Sequence, residues 1–331
     1  MAQKEFNMTT IRKACASAVL AASALAGVSA QAAPTFGDGF NGIYFQNFET
    51  LFRASTACTA ATCEAAIAGD PAGYQRVRRD VIGNISQGDL FIGILNIQNI
   101  DSPNQGTEVW STSAGDRFRG YFVQEVLNVN AVVPTNAIIT LGAGTDPFGF
   151  LAAGEMFALY TGASQLNTGG SLLNSINSAT AGTLWGKLGL GTEGYAYTAT
   201  DLTQLITSSN TEAFLGLNLL FAGPSYNAGP LAYMNDFNED LFGGVAAADA
   251  AEVCTAADLA NANVSCTNFA GTSEIEQNVN YNPGTTTGSN NWQYASNDPF
   301  KFYTAVPEPT SLALIGLGLL GLGAARRRRS A

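Results

Sequence analysis

The sequence predicts a mainly β fold, an antiparallel β-sandwich of jelly-roll type with a few short helical insertions. Gly, Asn, Ser and Thr are frequent and only 12% of residues are charged, a composition typical of β-rich exported chains with many turns. Short apolar segments are separated by turn residues, with no βαβ rhythm and no internal repeat. These observations together favour packed antiparallel sheets over an α/β arrangement.

The strongest strand prediction is residues 89–100, whose sequence DLFIGILNIQNI is apolar on both faces, as in a buried central strand. Residues 107–112 and 118–129 predict a hairpin across a turn at residues 114–116. Its packing residues would be Trp110, Tyr121 and Phe122.

Further strands are predicted from β-branched and aromatic content and from alternation. In residues 213–221 the alternating apolar side chains, from Leu215 to Phe221, share one face. The other predicted strands are residues 43–48, 137–141, 155–161, 195–200, 274–281 and 300–305.

Helical spacing or alanine content predicts three helices, at residues 59–68, 171–179 and 245–262. Residues 281–299 are rich in Asn, Gly and Thr and predict a loop.

Residues 1–32 have the pattern of a secretory signal peptide with a signal helix. Arg12 and Lys13 form its charged region, residues 14–28 its apolar region, and Ala30-Gln31-Ala32 an A-x-A cleavage site for signal peptidase.

The C-terminal segment, residues 306–331, combines three features in a fixed order. Val306, Pro307, Glu308 and Pro309 form an extended, exposed linker, because proline fixes φ and donates no backbone hydrogen bond. The apolar residues 311–325 predict a short transmembrane helix. Arg326, Arg327, Arg328 and Arg329 then predict a stop-transfer signal and a cytoplasmic C-terminus.

This segment resembles the PEP-CTERM sorting signal in its Pro307-Glu308-Pro309 motif, its apolar run and its basic end. The resemblance implies recognition and removal of the tail by exosortase, a membrane protease-transpeptidase of Gram-negative bacteria. It also implies a transient inner-membrane anchor, followed by release to the cell surface or the extracellular matrix.

The predicted domain organisation is a signal peptide at 1–32, one β-rich extracytoplasmic domain at 33–305 and the sorting signal at 306–331. The whole chain has a net charge of −11. The central domain carries eight basic and 24 acidic residues, a net charge of −16. Such a surface repels phosphate backbones, so nucleic-acid binding is disfavoured.

The chain contains no histidine, which excludes Ser-His-Asp and Cys-His catalysis and histidine zinc sites. An enzyme would have to use other groups, such as paired carboxylates. Glu125, Glu155, Glu193 and Glu212 lie on or beside predicted strands and are eligible, although outward-facing strand positions are the simpler explanation for them.

Four cysteines remain in the central domain, at positions 58, 63, 254 and 266. An even number in an exported chain predicts two disulfides, and their clustering favours the pairs Cys58–Cys63 and Cys254–Cys266. A four-cysteine metal site is disfavoured by the absence of C-x₂-C spacing.

Three weaker patterns concern binding. Asp236, Asn238 and Asp240 repeat the start of a calcium loop, but Leu241 and Ala247 stand where an EF-hand needs glycine and an acid, so an acidic turn is the simpler interpretation. The basic cluster at residues 76–79 could bind an anion, although such a run more often pairs with local acids, here Asp70 and Asp80. Among the aromatic residues that could stack on sugars, we expect Trp110 and Trp185 to be buried and Trp292 and Tyr294 to be exposed.

The sequence therefore predicts a non-enzymatic, exosortase-sorted protein of the cell surface or matrix, without a required cofactor, that associates with exopolysaccharide in a biofilm or floc. A carboxylate-based enzyme acting on matrix polysaccharide and a calcium-dependent structural adhesin are the two alternatives.

Overall fold

Antiparallel strands dominate the part of the chain that the computed structural model describes: residues 34–37, 39–79, 85–102, 107–113, 115–133, 136–191, 195–201, 212–234, 253–261, 266–274 and 276–304. Twelve of them lie in one sheet. They are β1 Gly39–Ala54, β2 Tyr74–Arg76, β3 Leu90–Ser102, β4 Thr107–Ser111, β5 Arg117–Val133, β6 Asn136–Ala143, β7 Glu155–Gly162, β8 Thr183–Gly189, β9 Tyr195–Asp201, β10 Glu212–Ala222, β11 Phe269–Glu274 and β12 Tyr294–Thr304. The described helices are a 3-10 turn at Ser55–Ala57, α1 at Leu172–Thr180 and α2 at Ala256–Leu259.

The sheet closes into a barrel because β12 pairs with β1. Eight strands form the ring, in the order β1, β3, β5, β7, β8, β10, β11, β12. β1 and β12 are in continuous antiparallel register from Gly39 opposite Thr304 to Glu49 opposite Tyr294. The mainly antiparallel β prediction is confirmed, whereas the predicted sandwich is wrong. Pairing the first strand with the last satisfies the backbone groups that would otherwise form two open sheet edges.

Two long strands change partners along their length and extend the sheet beyond the ring. Residues 117–122 of β5 pair with β7, and residues from 124 onward pair with β6. β10 pairs first with β9 and then with β8. Because β6 and β9 also pair with each other, this second path continues the sheet above one end of the ring.

Alternate side chains of the ring strands point inward and form the main apolar core. Aromatic rings fill one end of it: Trp185 lies 5.2 Å from Phe118, and Phe36 lies 5.3 Å from Phe302, between ring centroids. The interior at this end is therefore a packed core.

A second apolar cluster covers the outer face of the barrel beneath α1. The helix begins after Ser171, whose Oγ accepts a hydrogen bond from the amide of Asn174 at 3.2 Å. This confirms the helix predicted at residues 171–179. Its buried face packs on outward side chains of β3 and β5; the cluster includes Leu172, Ile176, Ala179, Ile92, Ile94, Tyr121 and Val123.

The central strand prediction is confirmed by β3, but the predicted hairpin is wrong in its pairing. β4 and β5 both form, yet each pairs with a different part of β3. Their link to each other is the bridge between Ser113 and Asp116. Trp110, Tyr121 and Phe122 are all buried, as expected. The local sequence predicted the positions of β4 and β5 correctly. Their pairing partner, however, is the long apolar strand β3.

Other local predictions also differ from the structure. Residues 59–68 form turns and irregular backbone in place of the predicted helix, and the predicted strand at 274–281 is replaced by β11, which ends at Glu274. The predicted loop at 281–299 already contains the beginning of β12 at Tyr294. The described part of the third predicted helix contains only the short α2, and residues 245–252 lie outside the described residues.

The alternation predicted for β10 ends at a bulge. Leu215 and Leu217 are buried, but the register with β8 shifts between Leu219 and Phe221. The shift turns the side chain of Phe221 outward, where it is 52% exposed.

Both predicted local disulfides are present. Cys58 and Cys63 join with a Cα–Cα distance of 5.5 Å, and Cys254 and Cys266 with 6.2 Å. The first closes the turn before β2, and the second ties the segment containing α2 to the residues leading into β11. Both loops are short, so these bonds mainly fix local backbone.

Gly93 of β3 is required by close packing inside the barrel. A Cβ at this position would overlap the ring of Phe122 and come within 2.6 Å of the carbonyl oxygen of Phe48. We expect Gly93→Ala to lower the free energy of unfolding by about 1–3 kcal/mol, measured by urea denaturation. Gly115→Ala is the control, because a Cβ there meets no atom within 4 Å. Equal stability of the two variants would contradict this packing argument.

Candidate functional site

The most unusual chemistry in the described residues is a polar layer inside the barrel. β1 contributes Asn47 and Glu49, and β12 contributes Tyr294, Ser296 and Asp298. The strand register places Asn47 opposite Ser296 and Glu49 opposite Tyr294. All five side chains share the inward face with the apolar core residues of the same strands, and all are buried. The layer therefore arises from the pairing of the first and last strands.

Glu49 and Asp298, termed here the carboxyl pair, are 5% and 3% exposed. Burial, together with the negative charge of Asp298, raises the pKa of the Glu49 carboxyl to about 8. Burial and the charge of Glu49 also raise the pKa of the Tyr294 hydroxyl above its ordinary value. The protonated, uncharged form of Glu49 is thus favoured at neutral pH.

Ser296 joins the two strands through hydrogen bonds. Its backbone amide donates to Oδ1 of Asn47 at 3.0 Å, and its Oγ contacts the same oxygen. Ser296 Oγ also lies 2.6 Å from Oδ2 of Asp298. Asn47 and Asp298 are therefore held in one network by a single hydroxyl group.

An apolar cavity of about 20 Å³ lies next to this layer, inside the barrel. Phe45 and Phe300, which line it, are neighbours of Asn47 and Asp298 on the two strands. The volume is close to the minimum that holds one water molecule, and the lining offers that water no polar partner. This cavity is too small for a sugar or a lipid chain.

The carboxyl pair can hold and exchange a proton, but its burial limits other chemistry. Glycoside hydrolysis requires two carboxyl groups that flank a bound sugar in an accessible cleft. Glu49 and Asp298 instead face the interior, where a polysaccharide chain has no room. The arrangement suits proton storage better than attack on a polymer.

Comparison with known protein families identifies a sorting motif at the C-terminus. Residues 305–329 match the family model of the PEP-CTERM protein-sorting motif. The chain carries a PEP-CTERM sorting motif. Comparisons with curated proteins and with solved structures gave no match.

The PEP-CTERM motif implies processing by exosortase and export to the cell envelope or surface. Val306, Pro307, Glu308 and Pro309 and the four terminal arginines fall within the matched residues, but residues 305–331 lie outside those that the structure describes. The predicted signal peptide at 1–32 also lies outside them. Within the described segments, no helix is both long enough and apolar enough to cross a membrane. The predicted domain boundaries remain predictions.

Of the four carboxylates that were eligible for catalysis, the structure describes the side chains of Glu155 and Glu125. Glu155 pairs with Lys187 at 2.6 Å and accepts a hydrogen bond from the amide of Ala152. Glu125 lies half-buried on β5, facing away from the barrel interior. The side chains of Glu193 and Glu212 lie outside the described set. Sequence reasoning missed Glu49 and Asp298, although Glu49 continues the inward alternation of Ile43 and Phe45 and could have been found by it.

The basic cluster at residues 76–79 pairs locally, as one of the two interpretations predicted. Arg76 is fully buried and pairs with Asp70 at 2.5 Å. Its Nη1 donates to the carbonyl of Asn291 at 2.9 Å, and its Nη2 donates to Oδ1 of the same residue at 3.0 Å. The guanidinium of Arg79 lies 4.5 Å from the ring centroid of Tyr281. Asp80 lies outside the described residues. Arg76 therefore belongs to the structural framework, where no anionic ligand can reach it.

The aromatic predictions are right for two residues and wrong for two. Trp110 and Trp185 are buried, as expected, but Trp292 and Tyr294 are also buried, with 0% and 4% exposure. The asparagine-rich segment packs on the barrel because its amide side chains bond its own backbone. Asn291 Nδ2, for example, donates to the carbonyl of Gly284 at 2.9 Å. The asparagine-rich sequence was expected to form an exposed loop. In the structure its side chains form hydrogen bonds to the backbone, and Trp292 and Tyr294 are buried.

The calcium prediction, on Asp236, Asn238 and Asp240, lies outside the described residues and stays a prediction. Among the described residues, no group of three acidic, cysteine or histidine side chains is placed to hold a metal ion.

Proposed function

We propose that this chain is an exosortase-sorted barrel protein of the cell surface or extracellular matrix, and that it organises exopolysaccharide without catalysing a reaction. The match of residues 305–329 to the PEP-CTERM motif carries the proposal. The acidic central domain and the two disulfides are consistent with a location outside the cell. The burial of the carboxyl pair favours a binding role over hydrolysis.

Sorting is tested by removing the matched segment. Deletion of residues 305–329 is expected to abolish delivery to the cell surface, because the exosortase recognition sequence is lost. Surface labelling and fractionation of the producing bacterium measure this. Deletion of residues 330–331, which lie just beyond the match, is the control and should leave delivery intact. Normal surface delivery of the first variant would contradict exosortase sorting.

The role in the matrix needs a separate measurement. The protein released from producing cells is incubated with exopolysaccharide isolated from the same organism, and co-sedimentation is measured beside the release of reducing sugars. We expect binding without sugar release. Sugar release without stable binding would favour an enzyme. If neither binding nor sugar release is observed, the exopolysaccharide proposal is wrong and the sorting proposal stands.

A carboxylate-based enzyme is the second candidate, and the presence of two carboxyl groups in one interior layer supports it. It requires the barrel to open so that a substrate reaches Glu49 and Asp298. Any sugar release would then disappear in Glu49→Gln. A calcium-dependent adhesin remains a third proposal, tested by whether calcium raises the melting temperature of the protein and whether Asp236→Asn with Asp240→Asn removes the gain.

A further inference from the structure

The network around Ser296 contains more acceptors than its own proton can serve. The backbone amide of Ser296 donates to Asn47 Oδ1, which fixes that oxygen, and not the amide NH₂, toward Ser296. Ser296 Oγ then contacts two oxygens, Asn47 Oδ1 and Asp298 Oδ2. A hydroxyl group donates one hydrogen bond. If the hydroxyl proton lies toward Asn47, the 2.6 Å contact with Asp298 needs a proton from the Asp298 carboxyl.

Glu49 adds a second carboxyl group to the same interior. It stands opposite Tyr294, one inward position from Asn47, and is almost completely buried. Burial deprives the Glu49 carboxylate of hydration, and the negative charge of Asp298 in the same interior adds to this effect, so the pKa of Glu49 lies above its ordinary value.

Among the described side chains that face Glu49 from the surrounding elements, little positive charge offsets this effect. On β1, Arg53 is held by Asp89 through bonds of 2.8 and 2.7 Å. On the facing strands, Gly93 of β3 and Phe122 and Gln124 of β5 carry no charge. On the side of Tyr294, the charges of Arg79 and Glu64 act with opposite signs, and the hydroxyl of Tyr281 lies near them. The side chains of residues 272–274 on β11 lie outside the described set. Asp298 is the charged group that acts on Glu49.

We propose that Glu49 and Asp298 together retain a proton inside the barrel at neutral pH, and that the barrel therefore becomes less stable as its surroundings become alkaline. This is a pH-sensitive element built into the strand pair that closes the ring. It is independent of the proposed function, because it rests on the interior of the barrel and uses neither sorting nor polysaccharide binding. For a protein outside the cell, the pH of the medium would then set how firmly the closing strands are held.

The direction of the effect follows from proton linkage. The pKa of Glu49 in the folded barrel is about 8, against 4.5 for an ordinary glutamate. The folded state thus holds its proton more tightly than the unfolded state does. Glu49 therefore makes its full contribution to the stability of the folded state below about pH 4.5. This contribution is lost as the pH rises toward 8.

Thermal unfolding of the purified full-length chain between pH 5 and pH 9 tests the proposal. We expect the melting temperature to fall by roughly 5–10 °C over this range. In Glu49→Gln, which is uncharged at every pH, the fall should be mostly absent and the melting temperature at pH 9 should exceed that of the wild type. Glu276→Gln, an exposed position, should follow the wild type. Parallel curves for wild type and Glu49→Gln would overturn the proposal.

Infrared spectroscopy of the wild-type chain gives a readout that does not depend on a variant folding. A protonated, buried carboxyl group has a carbonyl band distinct from that of a carboxylate. We expect this band at pH 7 and its loss as the pH approaches 9. Its absence at pH 7 would overturn the proposal. A calcium titration of metal-free protein gives a second contrary outcome. If calcium raised the melting temperature of the wild type and not that of Glu49→Gln, a cation would occupy the site in place of the proton, and the proposal would be wrong.

Discussion

Asp70→Ala is expected to destabilise the barrel by about 3–5 kcal/mol, because it leaves the guanidinium of Arg76 buried without its partner. Both side chains are almost inaccessible, at 0% for Arg76 and 3% for Asp70, and their closest contact is 2.5 Å. Arg76 also bonds the carbonyl and side chain of Asn291, so it links β2 to the asparagine-rich segment before β12. Urea denaturation followed by tryptophan fluorescence measures the loss.

The control is a second ion pair in the same molecule. Lys187 and Glu155 are also close, at 2.6 Å, but are 19% and 14% exposed. Glu155→Gln should cost about 1 kcal/mol or less, because water can solvate the remaining lysine. The double variant Asp70→Asn with Arg76→Met should recover much of the stability lost in Asp70→Ala. Equal losses for Asp70→Ala and Glu155→Gln would show that burial does not decide the energy of these pairs.

Trp185→Ala should have an effect of similar size, about 3–5 kcal/mol, because it removes one of the largest fully buried side chains of the barrel. The ring of Trp185 is fully buried and lies 5.2 Å from Phe118 and 4.8 Å from Tyr226, between centroids. Its Nε1 donates to Oδ1 of Asn227 at 3.1 Å. The variant loses these contacts and leaves a cavity where β8 meets the interior.

Two comparisons sharpen this test, with calorimetry or urea denaturation as the measurement. Trp185→Phe keeps an aromatic ring and should lose clearly less stability than Trp185→Ala. Phe221→Ala removes an aromatic ring that is 52% exposed, and we expect a change within about 1 kcal/mol. A loss for Phe221→Ala as large as that for Trp185→Ala would mean that the barrel interior is not the main source of stability.

Local sequence patterns predicted the elements that depend on near neighbours. The apolar run of β3, the helical spacing of α1 and the close spacing of the cysteine pairs each express a preference within a few residues. The failures share a different cause. The helix predicted at residues 59–68 was overridden by a disulfide-closed turn, and the exposed loop predicted around Trp292 was overridden by packing on the barrel.

The candidate site was hidden for the same reason. Glu49 and Asp298 are 249 residues apart in the sequence, and neither lies in a recognisable motif. Their shared place inside the barrel depends on the register of β1 with β12, and the raised pKa of Glu49 depends on the barrel that encloses it. A carboxylate on a strand has no signature of its own, because its chemistry is set by whether the facing strand and the core exclude water.

The sequence by itself determined the β-rich composition, the two local disulfides and the PEP-CTERM motif. The disulfides and the motif depend only on residues that are close together in the chain. Only the tertiary structure decided that the sheet closes as a barrel, and that the closing strands bring two carboxyl groups into its interior. The pairing of strands depends on contacts and burial between residues that are far apart in the sequence, so a local pattern does not determine it.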